Sequence, residues 1–238
     1  MPETPLTKFW VILPAAGIGS RMDADRPKQY LKLFDQTILE HSLNCFLSHP
    51  AFKTVVLGLS KNDRYWSELG LAKDSRVEVY EGGAERVDSV LNGLAFISDR
   101  AQPDDWVWVH DAARPCLSHT DIDKLISVLG AHDEGALLAV PVNDTVKRAN
   151  ARLEVETTVD REGLWRAMTP QVFRFAPLKQ ALEQSLLSNV SVTDESSAIE
   201  YAGGKPLLVQ GAESNIKVTH PSDLKIAART MQDNSNEG

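Results

Sequence analysis

Two glycine turns and one isolated carboxylate carry the chemistry available to this sequence. The first turn, Pro14-Ala15-Ala16-Gly17-Ile18-Gly19-Ser20-Arg21-Met22, follows a short apolar run and leads into Pro27-Lys28-Gln29. Glycines in such a turn let backbone N–H groups approach phosphate oxygens with no side chain in the way, which makes a phosphate cradle. The pattern is not the dinucleotide fingerprint, because Met22 stands at the third glycine of G-x-G-x-x-G, and it is not a Walker A loop, because no Gly-Lys-Ser/Thr follows. Residues 17 to 32 hold Arg21, Arg26, Lys28 and Lys32 against Asp23 and Asp25, a local basic excess in a chain of net charge −8. Basicity beside a glycine turn points to a polyphosphate. The plainer alternative is an ordinary strand-to-helix turn with solvated charges.

The carboxylate is Asp111, at the end of the run Trp106-Val-Trp-Val-His-Asp-Ala-Ala-Arg114-Pro115. In open α/β sheets ligands bind outside the carboxyl ends of the strands, so Asp111 should face the same crevice as Gly17 and Gly19. A hard carboxylate beside phosphates implies Mg²⁺ or another divalent cation. The alternative is an Asp that caps the next turn and pairs with Arg114. The second glycine turn, Gly82-Gly83-Ala84-Glu85-Arg86-Val87-Asp88-Ser89, repeats strand, glycine, helix, and its backbone could follow a ligand edge. Thr145, Arg161, Thr169-Pro170-Gln171, Thr193-Asp194-Glu195 and Asn215-Ile216-Lys217-Val218-Thr219 are scattered polar groups, each by itself better explained by structure than by function.

Other chemistries fail on residue types. The six histidines form no H-x-H or H-E-x-x-H pair, and there is no G-x-S-x-G elbow. His110 reads as a hydrogen-bonding neighbour of Asp111, and Trp106 and Trp108, on one strand face, read as core. Cys45 and Cys116 are too few for a disulfide framework, which makes a reducing cytoplasm the simplest compartment. The net charge argues against duplex DNA or an anionic membrane surface as partner. No run approaches the roughly 18 apolar residues of a spanning helix. Phe9 to Gly17, interrupted by Pro14, makes a poor signal peptide.

These groups need a scaffold that brings strand ends together. Apolar runs at Phe9 to Leu13, Thr54 to Leu59, Val77 to Tyr80, Trp106 to Val109 and Ala136 to Val142 alternate with helical spacing at Leu39-Leu43-Phe46-Leu47, at Val87-Val90-Leu91-Leu94 and from Thr120 to Leu129. That alternation predicts a doubly wound, mostly parallel sheet over the first 140 residues. Thr145 to Ala149 and Leu153 to Asp160 then read as a hairpin about Asn150-Ala151-Arg152, a natural oligomer contact because two unsupported strands are marginal in water. A hairpin folded onto its own domain fits these residues equally well. Helices at Ala176 to Leu187 and Asp194 to Tyr201, a strand at Leu207 to Val209 and a helix opened by Pro221 complete one unit, with Thr193 and Thr219 placed as N-caps.

Taken in order, Pro-Ala-Ala-Gly-x-Gly-x-Arg-Met, Pro-Lys-Gln-Tyr, Gly-Gly-x-Glu-Arg-x-Asp-Ser-Val, His-Asp-Ala-Ala-Arg-Pro, Thr-Val-Asp-Arg, Met-Thr-Pro-Gln, Thr-Asp-Glu and Asn-Ile-Lys-Val-Thr resemble the 2-C-methyl-D-erythritol 4-phosphate cytidylyltransferase family along nearly the whole chain. The related ribitol 5-phosphate cytidylyltransferases share much of the N-terminal pattern. The resemblance implies a Rossmann-like α/β fold of the nucleotide-diphospho-sugar transferase type, with helices on both faces of the sheet and a protruding β-hairpin. It implies a single domain over 1–238, in which about 141–163 forms the arm of a homodimer. It also implies CTP in the sheet crevice, a sugar-alcohol phosphate acceptor and a divalent cation. Carried over by position, Pro14, Ala15, Ala16, Gly17, Gly19, Arg21 and Lys28 would hold the triphosphate, and Gly83, Ala84 and Ser89 the cytosine. Asp111 would lie beside the metal with Ala112 next to it, and Arg21, Lys28 and Lys217 would act on the reacting phosphates. Arg161 and Thr169 would reach across the dimer to the acceptor phosphate, with Arg114, Thr145 and Thr193 nearby. Ala84 and Ser20 depart from the family pattern, which often has Asp and a basic residue there.

Two further classes make distinct demands. A nicotinamide-dependent oxidoreductase should add a third glycine and an acidic residue about 20 positions on. A non-catalytic nucleotide-binding protein should keep the glycine turns and release no pyrophosphate.

Overall fold

The computed structural model describes residues 8–17 and 26–236, the last three as backbone alone. Its centre is a seven-stranded sheet of β1 (Phe9–Pro14), β4 (Val55–Leu59), β5 (Val77–Glu81), β6 (Trp106–Val109), β7 (Ala136–Pro141), β10 (Trp165–Arg174) and β11 (Leu207–Gln210), in the order β11-β7-β10-β6-β1-β4-β5. All neighbours pair parallel except β10, which runs antiparallel to both β6 and β7. The chain moves outward from β1 through β4 to β5, then returns to β6 on the other side of β1. That reversal opens a crevice at the carboxyl end of β1, where such sheets bind ligands.

Strand alternation splits the core in two. Val11, Leu13, Trp106 and Trp108 face one layer, closed by Leu39, Leu43 and Phe46 of α1 (Ile38–Leu47) and by Ile122, Leu125 and Leu129 of α3 (His119–Leu129). Trp10, Ile12, Val107 and Val109 face the other, closed by α2 (Arg86–Ile97), α4 (Phe175–Leu187) and α5 (Glu195–Tyr201). Both faces are thus covered, which is why these strands are nearly continuous hydrophobics. The C-terminal helix α6 (Pro221–Asn236) packs Ala227 on a small separate cluster with Leu33, Ile38 and Val218. A two-stranded ribbon, β2 (Lys32–Leu33) with β3 (Gln36–Thr37), precedes α1.

The expected elements form, with three differences. Residues 165–174, given no element from the sequence, make the longest strand of the sheet, and β10 separates β6 from β7. Pro170 hides it, since proline argues against a central strand. The β10–β7 register shifts between Ala167 and Gln171, so the ladder does not need a proline N–H. The second difference is the N-cap of α5, which is Asp194 and not Thr193, its carboxylate accepting from Ser197 N–H at 2.9 Å. The third is at α6, where Thr219 donates its hydroxyl to Asp223 Oδ2 (3.0 Å), and that carboxylate takes the N–H groups of Thr219 and His220 as well. The hairpin of β8 (Val146–Ala149) and β9 (Val155–Val159) is a separate two-stranded sheet with no strand of the main sheet beside it.

Candidate active site

A cleft of about 290 Å³ opens at the carboxyl ends of β1, β5 and β6. Its walls are Pro14 to Gly17 after β1, Gly83 to Arg86 and Ser89 after β5, and Asp111 to Ala113 after β6, with Lys28, Gln29 and Lys217. Eleven residues expected at the nucleotide, the metal or the reacting phosphates therefore gather in one place: Pro14, Ala15, Ala16, Gly17, Lys28, Gly83, Ala84, Ser89, Asp111, Ala112 and Lys217. Gly19 and Arg21, with the departure at Ser20, lie outside the described residues.

The first turn is braced from below. Gln29, 5% exposed, donates Nε2 to the carbonyls of Ala15 (2.8 Å) and Gly17 (3.2 Å). A trans peptide holds its N–H opposite its carbonyl, so the amide of Ala16 is turned away from Gln29. At the second turn the glycines answer a packing demand. A Cβ on Gly82 would sit 2.6 Å from Ala16 Cβ, and one on Gly83 would sit 2.2 Å from Asp88 Cβ. Ser89, buried, accepts from Gly83 N–H (3.0 Å) and donates to the Glu85 carbonyl (3.1 Å). The Gly83 amide is therefore committed to Ser89 and holds the turn's shape.

Asp111 is the electrostatic centre. It is 7% exposed, and it receives Arg86 Nε at Oδ1 (3.1 Å) and both Lys217 Nζ (3.0 Å) and Arg114 Nε (3.3 Å) at Oδ2. Burial alone would raise its pKa, but Arg86, Lys217 and Arg114 overcome that and hold it well below the carboxylate range. Arg86 also grips Glu195 with both terminal nitrogens, at 2.6 and 2.9 Å. Burial opposes the charge on Arg86, and Glu195 and Asp111 outweigh it, raising its pKa. Lys28 reaches the Val218 carbonyl (3.1 Å), next to Lys217 in the chain.

A buried chain of hydrogen bonds fixes this carboxylate from behind. Asp111 N–H donates to Thr169 Oγ1 (3.0 Å), which lies 3.0 Å from His110 Nδ1, and His110 Nε2 lies 3.1 Å from the Arg114 carbonyl. A carbonyl only accepts, so Nε2 carries the proton and Nδ1 accepts from Thr169. Burial lowers the His110 pKa to about 4 and keeps the ring neutral. Asn215, fully buried, donates to the Thr169 carbonyl (2.8 Å) and accepts Arg114 Nη1 on its own carbonyl (2.7 Å).

The residues expected around the acceptor do not converge in one chain. Thr169 is 4% exposed, with its hydroxyl held between the Asp111 N–H and His110 Nδ1, so within this chain it supports Asp111 from behind. Arg114 is also buried, behind Asp111, and does not line the cleft. Thr145 and Arg161 are exposed at the base of the hairpin, where Arg161 donates to the Asn143 carbonyl. Thr193 borders a smaller hollow with Glu85, Arg86 and Glu195. Sequence reasoning missed Gln29, Arg86 and Glu195 as site residues, although all three stand inside the motifs quoted for the resemblance.

Among the described residues no three His, Cys, Asp or Glu side chains gather around a point that could hold a metal. Asp111 can supply one carboxylate, which suits a Mg²⁺ bound mainly by substrate phosphates and water.

The chain matches the model of one family, described as IspD, 2-C-methyl-D-erythritol 4-phosphate cytidylyltransferase, over residues 9–233. It is 56% identical over 223 residues to the 2-C-methyl-D-erythritol 4-phosphate cytidylyltransferase of Pseudomonas entomophila, covering 93% of this chain and 95% of that one. Its fold is similar to the crystal structure of the Francisella tularensis 2-C-methyl-D-erythritol 4-phosphate cytidylyltransferase, with a TM-score of 0.82 and 37% identity over 94% of this chain and 100% of that one. The Thermus thermophilus protein of the same name gives a TM-score of 0.78 at 26% identity, over 95% and 100% of the two chains.

Proposed function

Because the chain belongs to the 2-C-methyl-D-erythritol 4-phosphate cytidylyltransferase family and moves a cytidylyl group from CTP to that acceptor in non-mevalonate isoprenoid synthesis, we propose that the cleft at β1, β5 and β6 houses the transfer and that Lys28 and Lys217 drive it. The observation that carries this is the convergence of both lysines, the Ala15–Gly17 turn and Asp111 on one cleft at the switch point of the sheet.

An oxygen of the acceptor phosphate attacks the α-phosphorus of CTP. The new P–O bond forms as the bond to the β-phosphate oxygen breaks, and the electron pair leaves with pyrophosphate. A phosphate monoester has a second pKa of about 6, so the nucleophile is largely ionised near neutrality and needs no general base. His110, buried, neutral and absent from the cleft wall, fits that economy. The difficulty is to bring two anions together and to stabilise charge on the equatorial and departing oxygens, which positioned cations do. Lys217 stays on Asp111 Oδ2 and offers its remaining N–H donors to an arriving phosphate, while Arg86 and Arg114 help compensate the carboxylate. A divalent cation would be held by Asp111 and the phosphates. When bound it neutralises phosphate charge.

The acceptor side is completed by a second copy of the chain. Thr145 and Arg161 lie off the cleft, on a hairpin arm (about 141–163) that exposes Leu153 and Val155. Arms exchanged in a homodimer would cover those side chains and bring Arg161 to the acceptor phosphate of the neighbour. Arg161→Ala should then weaken acceptor binding and leave CTP binding unchanged. Calorimetry with each ligand checks this, and the opposite pattern moves Arg161 out of the acceptor site.

A further inference from the structure

Arg86 and Glu195 are built into the cleft more tightly than a wall requires. Glu195, in the first turn of α5, is 1% exposed, and its two oxygens accept from Arg86 Nη1 and Nη2. That bidentate grip uses the outer edge of the guanidinium, so Arg86 turns only Nε–H to Asp111, at Oδ1. The other oxygen, Oδ2, is left to Lys217 and Arg114. Without the charge on Glu195, the planar fork of Arg86 has Asp111 as its neighbouring carboxylate. A fork that closes on both oxygens of Asp111 displaces Lys217.

We infer that Glu195 is a positioning residue for cytidylyl transfer, acting through Arg86 to keep one oxygen of Asp111 open to Lys217. The inference rests on the role proposed above for Lys217. The competing explanation is a buried ion pair that only ties α5 to α2, for which losing one partner destabilises the fold.

Four variants decide between them: Glu195→Gln, Arg86→Lys, Arg86→Gln and the double Arg86→Gln/Glu195→Gln, each measured for kcat, KM and melting temperature in the full chain. Glu195→Gln should lower kcat by about 10- to 100-fold, the range that outer partners of a site residue show, with KM for CTP within about threefold. Arg86→Lys should lose less kcat than Glu195→Gln, because an ammonium has no fork to close on both oxygens of Asp111. The double variant should have a kcat no lower than Arg86→Gln alone, since Glu195 acts only through that arginine. Near-normal kcat in Glu195→Gln, or losses that multiply in the double variant, overturns the inference. Should Glu195→Gln fail to fold, Glu195→Asp carries the test, its shorter side chain being unable to hold both outer nitrogens of Arg86, and near-normal kcat there overturns the inference. Lys217→Ala in parallel separates the premise from the inference. Normal kcat in that variant removes the role of Lys217 and the inference with it, whereas loss there together with multiplying losses overturns the inference alone.

Discussion

At the scale of single residues, turnover in the proposed mechanism rests on two lysines. Lys28→Ala and Lys217→Ala should each lower kcat by about 10²- to 10³-fold, the effect of removing one preorganised donor to developing charge, with a smaller change in KM for CTP. Steady-state kinetics checks this, and near-normal turnover in Lys28→Ala removes it from the machinery. His110 gives a pH prediction of defined sign. Its folded pKa near 4 lies below the unfolded value of about 6.5, so as pH falls through 6.5 the unfolded chain binds a proton that the folded chain refuses. Stability from this source is intact above that pH and declines down to about 4, by up to about 3 kcal/mol. Denaturation at pH 7.5 and 4.5 should show His110→Gln losing less stability between the two than the parent, and equal losses contradict it. Lys28 and Asp111 were legible because a glycine turn and a strand end announce them, whereas Lys217 was legible only through the family resemblance, its segment by itself reading as structure. Arg86 and Glu195 were not, because an ion pair spanning 109 positions leaves no local spacing to read. Thr169 was legible as a motif but not as a buried group, since nothing local tells which face of an unrecognised strand it occupies.

At the scale of elements, the two glycine turns work because close packing holds them. Gly83→Ala would push a Cβ to within 2.2 Å of Asp88 Cβ and 2.9 Å of the Asp88 carbonyl carbon, inside the start of α2. Overpacking of that kind typically costs about 1–3 kcal/mol. The variant should melt lower and bind CTP more weakly, and a calorimetric affinity equal to the parent's would show that the turn tolerates the shift. The strands β1, β4, β5, β6 and β7 and the helices α1 to α5 follow from hydrophobic spacing, because each presents an apolar face to a layer of the core, while α6 is announced by Pro221. What spacing could not supply is β10. Its N-terminal residues 165–167 are exposed, its last stretch is buried, and Pro170 stands between, so neither a period of two nor a continuous apolar run marks it. Missing it also misplaces β7, which sits one strand further from the switch point than a simple doubly wound order gives.

At the scale of the whole molecule, a chain of net charge −8 brings Lys28, Arg86, Arg114 and Lys217 to or just behind one cleft against Glu85, Asp111 and Glu195, so the local balance there is positive although the chain is acidic. No helix among the described residues is long and apolar enough to cross a membrane. The hairpin makes the largest claim on assembly. Leu153 is 88% exposed and Val155 65%, on two strands that no other sheet supports. On the proposed arm exchange the parent should sediment as a dimer, and replacing Leu153 and Val155 by Asp should give a monomer with weaker acceptor binding; a monomeric parent, or a variant that remains dimeric at the same concentration, contradicts the exchange. The central claim, cytidylyl transfer to one polyol phosphate in this cleft, is tested most directly by Mg²⁺-dependent pyrophosphate release from CTP, with 2-C-methyl-D-erythritol 4-phosphate and ribitol 5-phosphate offered separately. Release is expected with the first and none with the second. Release with ribitol 5-phosphate alone, or silence with both, contradicts it.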